Sequence, residues 1–401
     1  MTTARSDIRQ RYGLRPIVNV SGTMTTLGAS IAVPEAVAAA SAVLPEFVEI
    51  NELHRIASRT IARLTGAEAG FVTASCAAGI TVAVAATMTG ADLARIEQLP
   101  DATGMKNEVA IQPGHIVNYG APVDQAIRLA GAKVALVGAA TDARPYQLEA
   151  KLNEHTAAAL YVVSHHCVDY GQIPLAEFAA ICRRRGVPVI VDAASEYDLR
   201  GFLAAGADLA VYSAHKFLGG PTAGIVAGRK DLVRATFLQN YGIGRGLKVG
   251  KESILGTIAA LEAWEKRDHR AVRAREDGYL ALWQKLFASL PGIATEIVAD
   301  PTDNPLSRLK LSVDPDAART TAWHLADALA AGDPPVIVRD HEVEHGFFYM
   351  DPCNLHPGEE HTVAARVVEE CEKALKRNAV PEGTALERRA RRFQRMLAWP
   401  D

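Results

Sequence analysis

From Asn51 to about Leu247 the chain alternates short runs of Val, Ile and Ala with longer segments whose apolar positions recur every three or four residues. Strands that are apolar on both faces need cover on both faces, so this alternation predicts βαβ units and a mostly parallel sheet under helices. NELHRIASRTIARLTG predicts an amphipathic helix closing at Gly66, AEAGFVTAS a short strand and AAGITVAVAATMTG a buried helix. EVAIQPG, KVALVG, AALYVVSHH, PVIVDAAS and DLAVYSAHK predict further strands. Between them APVDQAIRLAGA, RPYQLEAKLNEHT, LAEFAAICRRRG and DLRGFLAAGA predict helices. The fold class is α/β.

The pattern changes on either side. The first fifty residues, punctuated by Pro16, Pro34 and Pro45, predict an N-terminal arm (1–50) before a large domain over 51–265. A long helical stretch from Ser253 predicts a bridging helix over 266–290. TEIVAD, SRLKLSVD, PPVIVRD and GFFYMD then predict a smaller α+β domain over 291–401. The basic stretch ERRARRFQRM reads as a solvated face.

Composition excludes several classes of function. A net charge of −3 argues against an electrostatically driven nucleic-acid binder. Cys76, Cys167, Cys182, Cys353 and Cys371 form no Cys-x-x-Cys pair, so a reducing, cytoplasmic compartment is expected and a zinc ribbon is not. MTTARSDIRQRYGLRP has no apolar signal core, and the apolar run Ala77–Met88 is too short to span a bilayer, so no membrane partner is expected.

Ligands of open α/β sheets sit outside the carboxyl ends of strands, and four such ends carry reactive groups. Lys216 follows Ser213 and His215 and precedes the turn Phe-Leu-Gly-Gly-Pro-Thr. A desolvated amine there favours its neutral, nucleophilic form; a surface lysine is the plain alternative. Asp192 ends VIVD one βαβ step earlier, so the two can converge on one cleft. A buried carboxylate beside a pyridine-type nitrogen keeps that nitrogen protonated, although an Asp here can also be a helix N-cap. Thr73–Gly79 is a turn of small residues opening a helix, whose free N–H groups suit a phosphate. Gln112-Pro-Gly-His115 offers an imidazole that could stack on a flat ring or simply pack.

This constellation resembles the fold-type I pyridoxal-phosphate enzymes, in the branch similar to selenocysteine synthase and D-glucosaminate-6-phosphate ammonia-lyase. The resemblance is carried by IVNVSGTMTTLG, LHRIASRTIARLTGAEAGFVTASCAAGI, VDAASE, DLAVYSAHKFLGGPTAGIVAGR and KVGKESILGTIAALE. It implies a large cofactor domain, a smaller C-terminal domain and pyridoxal 5′-phosphate as cofactor. Lys216 is then the Schiff-base lysine, Asp192 the partner of the ring nitrogen, His115 the ring stacker and Ser195 a contact to the phenolic oxygen. Ser75, Cys76 and Ala77 would seat the phosphate with Ser213 and His215. Thr222 would reach across a subunit interface, which implies a homodimer or higher homo-oligomer. One departure stands out: selenocysteine synthases carry an acidic residue before the lysine where this chain has His215. With no added basic domain, that favours a small amino acid over a tRNA.

The expected reaction is a β-elimination on a small polar hydroxy amino acid. It passes through an external aldimine, with Lys216 taking the α-proton, and yields keto acid and ammonia. Racemase, aldolase and aminotransferase chemistry are alternatives within the same cofactor class. A pyridoxal-phosphate-binding regulator or carrier without turnover is the non-enzyme alternative. Arg339 is the first candidate for the substrate carboxylate, ahead of Arg308 and Arg15; each could equally be a surface arginine. Arg245, Lys248 and Lys251 could grip an anionic group, and Thr23, Thr25 and Thr26 a polar tail. His165 and His166 are placed at a strand end, with His166 as candidate acid–base group. His341 and His345 have metal-like spacing in a loop or hairpin, and no metal is expected.

Overall fold

The computed structural model describes residues 8–400. The chain forms two compact units, one of Ser30–Arg267 and one in which residues up to Ala29 join those from Asp268 onward. This redraws the expected boundaries. The arm divides at Ala29 instead of standing apart as 1–50, and the helix His269–Phe287 belongs to the second unit instead of bridging.

Twelve strands are named in chain order: β1 (Val18–Val20), β2 (Ala69–Thr73), β3 (Glu108–Ile111), β4 (Lys133–Leu136), β5 (Thr156–Val162), β6 (Val189–Asp192), β7 (Leu209–Ser213), β8 (Gly224–Gly228), β9 (Ile293–Ala299), β10 (Ser307–Val313), β11 (Val336–Val338) and β12 (Phe347–Met350). In the Ser30–Arg267 unit, seven form one sheet in the order β2-β8-β7-β6-β5-β3-β4. The run from β7 to β4 is parallel, and β8 is antiparallel to both its neighbours. The motif reading left out β8, whose small residues give a weak strand signal.

Alternate strand residues enter opposite apolar layers. Val189, Val191, Ala210 and Tyr212 face one layer, and Ile190, Leu209, Val211 and Leu160 the other. This explains why the strands read as unbroken apolar runs. The helix Cys76–Thr89 is buried along nearly its whole length because its small residues let it lie close on the sheet. A Cβ on Gly79 would stand 2.8 Å from Val211 Cγ1, and one on Gly224 only 2.3 Å from the Ser75 carbonyl oxygen. Those two glycines set how near the helix N-terminus comes to the sheet.

The second unit holds the antiparallel sheet β12-β10-β9 and a separate parallel pair, β1 with β11. Leu309, Leu311, Phe348, Trp283 and Phe287 are fully buried in its core. The PPVIVR strand thus pairs with a segment more than three hundred residues away, beyond the reach of local pattern. The basic C-terminal stretch is not simply solvated. On the helix Ala385–Leu397, Arg388 is buried and reaches Asp327 at 2.7 Å and Asp340 at 2.5 Å, while Arg389 pairs with Glu344 at 2.6 Å. Four helical expectations are shorter or broken, RPYQLEAKLNEHT among them, whose helix ends at Lys151. DLRGFLAAGA keeps one turn, Gly201–Ala204. APVDQAIRLAGA starts only at Val123. The long stretch breaks at Arg267–Asp268, where the Asp268 carboxylate caps a new helix by accepting from the Ala271 N–H at 2.9 Å. Among the described residues, no helix is long and apolar enough to cross a membrane.

Candidate active site

The carboxyl ends of β6 and β7 bring the two sharpest candidates together. Lys216, partly buried three residues beyond β7, donates from Nζ to Ser195 Oγ at 2.5 Å. Asp192 closes β6 and is buried. Burial lifts its carboxyl above the ordinary range, while the nearby Lys216 ammonium pulls it back. Asp192 Oδ1 accepts from the Ala194 N–H at 3.1 Å and from the Cys76 thiol at 3.5 Å. Burial and the Asp192 charge hold that thiol well above its usual range, so it stays protonated.

Beyond β2, Ser75 caps the helix Cys76–Thr89, its Oγ accepting from the Ala78 N–H at 3.1 Å. The first-turn N–H groups of Cys76 and Ala77 lie ahead of any carbonyl they could reach in the helix. Ser213 Oγ lies 3.0 Å from His215 Nδ1, and the buried Nε2 of His215 has no partner. Burial and Lys216 both depress the His215 imidazole, leaving it neutral. Ser30 Oγ donates between the carbonyls of His215 and Lys216, each at 2.6 Å, and the Val33 N–H donates to the Gly219 carbonyl at 2.8 Å. Segment 30–33 thus clamps the lysine turn, a contact that sequence reasoning missed. Thr222 in the same turn is exposed.

His115 is not an open stacking platform. It is 3% exposed, its Nδ1 accepts from the Val162 N–H at 3.2 Å, and its ring meets Tyr161 edge-on at 4.4 Å. Nε2 therefore carries the ring proton, and burial holds the imidazole near a pKa of about 4. The aromatic left open here is Tyr119, 41% exposed, whose phenol is pushed up to about 12 by burial and by the charge of Asp192. It lines a cavity of about 450 Å³ with Ser75, Ala77, Gln125, Leu129 and Leu247. A Tyr beside the glycine of an exposed turn was the available signal for it.

The remaining candidates fall into place less directly. β5 stops at Val162, so His165 and His166 lie in the turn after it, their rings 3.8 Å apart and His166 exposed. Arg245 and Lys248 are exposed, and Lys251 donates to the Glu46 carbonyl. In the other unit, Arg15 donates to the Ala330 carbonyl at 3.2 Å, and Thr25 starts an exposed 3-10 turn with Thr26. His345 sits in a 3-10 turn between β11 and β12, with His341 just before it.

Arg339 is not a surface residue. It is 6% exposed, its Nε has no partner, and burial together with Arg308 lowers its pKa to about 10. Arg308, by contrast, is spoken for: it reaches Asp300 at 2.5 Å and Asp351 at 3.0 Å. Asp340, its neighbour in sequence, pairs with Arg388 and Arg392.

Comparison with known proteins agrees with this layout. The chain is 37% identical to the D-glucosaminate-6-phosphate ammonia lyase of Salmonella typhimurium (strain 14028s / SGSC 2262), over 92% of this chain and 99% of that one. It is 38% identical to the 5'-C-glycyluridine monooxygenase-decarboxylase of a Streptomyces species, over 90% and 91%. A solved structure of D-glucosaminate-6-phosphate ammonia-lyase superposes with a TM-score of 0.84, at 37% identity, over 92% and 99% of the two chains. Residues 17–275 match the model of the family described as SelA: L-seryl-tRNA selenium transferase. With that match running from β1 through the lysine turn to the helix Lys251–Lys266, this chain belongs to the SelA, or selenocysteine synthase-like, family.

Proposed function

We propose that the protein is a pyridoxal-phosphate-dependent ammonia-lyase acting on a small polar hydroxy amino acid. The observation that carries this reading is Lys216 Nζ at 2.5 Å from Ser195 Oγ, beside the buried carboxylate of Asp192 on the adjacent strand. The donor set suits the cofactor's three handles. The Cys76 and Ala77 N–H groups, Ser213 and the unpartnered Nε2 of His215 suit a phosphate. Asp192 suits a protonated ring nitrogen, and Ser195 a phenolic oxygen. Lys216 would hold the aldehyde carbon.

Once bound, pyridoxal phosphate supplies an electron sink for charge developing at the substrate α-carbon. The chain's own residues do the rest. Lys216 Nζ would take the proton from the substrate α-carbon. Asp192 stays ionised against a ring N–H and holds that proton in place. His166 would return a proton to the departing β-hydroxyl, which leaves as water. Hydrolysis of the eliminated product consumes one water and releases ammonia with the keto acid, so atoms balance as amino acid to keto acid plus ammonia. Within its own unit, Arg339 has what a carboxylate handle needs: a buried guanidinium with a free Nε–H.

A homo-oligomer goes with this reading. Thr222 is exposed, and Val37, Leu44 and Phe47 present an apolar strip on the segment after Val33. A monomer mass by light scattering would remove that part. Five unpaired thiols fit a cytoplasmic setting.

The test pairs spectroscopy with turnover. Added pyridoxal phosphate is expected to give a near-visible band that borohydride removes and Lys216→Ala lacks. D- and L-hydroxy amino acids are then expected to give equal keto acid and ammonia, with turnover at least 10³-fold lower in Lys216→Ala. Absence of the band overturns the cofactor. A second reading, oxygen-dependent decarboxylation, is favoured by the 38% identity to the Streptomyces enzyme. Oxygen uptake with release of carbon dioxide, in place of ammonia, would select it.

A further inference from the structure

We infer that Cys76 is a positioning residue for Asp192, fixing which carboxylate oxygen is presented to the ring nitrogen of the cofactor. The inference rests on the cofactor reading above. Cys76 is the first residue of the helix Cys76–Thr89, and Asp192 the last of β6. Both are buried, 8% and 6% exposed. Two donors, the Cys76 S–H at 3.5 Å and the Ala194 N–H at 3.1 Å, converge on Asp192 Oδ1. No donor among the described residues reaches Oδ2. A carboxylate tied at one oxygen from two directions cannot rotate freely, and its second oxygen keeps its full acceptor capacity for a ligand N–H.

The thiol has one proton and two acceptors within range, Asp192 Oδ1 at 3.5 Å and the Val211 carbonyl at 3.8 Å. The shorter contact and the negative charge favour the carboxylate. Since Cys76 is raised well above the usual thiol range, it remains a donor and adds no second negative charge beside Asp192. The helix start therefore has two tasks. Its backbone N–H groups face the phosphate end, and its first side chain steadies the group for the opposite end of the ring. The same short turn fixes the distance between them.

Removing this donor should loosen the carboxylate without emptying the site. Titration of the apoprotein with pyridoxal phosphate, followed by absorbance, tests this in Cys76→Ala, Cys76→Ser and Asp192→Asn beside the native protein. Cys76→Ala is expected to weaken cofactor binding about fivefold, the effect of one modest hydrogen bond to a charged group. Its bound band is expected to shift toward that of Asp192→Asn. Cys76→Ser keeps a hydroxyl donor and is expected to stay within about twofold of the native protein. Native-like affinity and spectrum in Cys76→Ala overturn the inference. So does equal loss in the alanine and serine variants, since that assigns the effect to side-chain volume. If the native protein itself gives no band, the cofactor reading fails instead, and the two failures are distinct.

Discussion

The two units differ in how they treat buried carboxylates and guanidiniums. In the Ser30–Arg267 unit, burial drives ionisable groups toward neutrality: Asp192 and Cys76 are raised, and His54, His115 and His215 are lowered. In the other unit, burial likewise keeps the Cys353 and Cys371 thiols and the His341 imidazole neutral, but several buried carboxylates and guanidiniums stay charged because they are paired. Asp300 and Asp340 are held low, and Arg308 and Arg388 high. Arg339 stands apart from these paired cations, held down to about 10 with an unpartnered Nε. Buried charge is tolerated where the fold supplies a counter-charge. A group left without one is either neutral at rest or awaits an ion from outside.

The contrast can be broken most sharply at Arg308. Arg308→Met leaves Asp300 and Asp351 buried without their cation, and is expected to destabilise the protein by about 3–5 kcal/mol in denaturant unfolding. A loss below about 1 kcal/mol would show that the pair was not bearing on stability.

Next comes acid. His54 and His115 are both held near a pKa of about 4 by burial, below the ordinary 6.5. A depressed histidine contributes stability that is fully present above pH 6.5 and is lost as pH falls toward 4, about 3 kcal/mol for each. Protonation of the raised Asp192 offsets part of this. Asp300 and Asp340, depressed below 3.8, keep their contribution until the pH falls beneath that value. Hydrogen exchange at pH 5 should therefore lose protection in residues 30–267 before residues 268–400. His54→Phe, which keeps the ring cluster with Phe71 and Phe237, should flatten the acid limb. Simultaneous loss in both units would break the comparison.

The smallest expected change sharpens it. Arg339→Met removes an incompletely paired buried charge, so stability should hold or rise by about 1 kcal/mol. The KM for the amino acid should rise at least tenfold, with kcat changed less. Destabilisation like that of Arg308→Met would place Arg339 among the paired groups.

How much was legible follows from where the determinants lie along the chain. The helix Ile50–Thr65, closed by Gly66 in a left-handed conformation, was readable from its own apolar repeat and its glycine. The spacing of Asp192 and Lys216 was readable because one βαβ step places neighbouring strand ends side by side. The fate of His115 was not. A histidine in a turn looks the same whether it faces a ligand or accepts from Val162, which arrives from a strand more than forty residues later. Tyr119 and Ser30 were missed for the same reason: each matters through what folds against it.

By itself, the sequence determined the alternating architecture, the order of strand ends and the chemical set of lysine, carboxylate and small-residue helix start, because those are encoded in local period and spacing. Only the tertiary structure decided which charges have partners. Arg308 is neutralised by residues eight positions before it and forty-three after it, whereas Arg339 keeps a free Nε although acidic residues flank it in sequence. The reason is physical. Solvation and pairing energies depend on distances in space, and the chain specifies those only once its layers have packed.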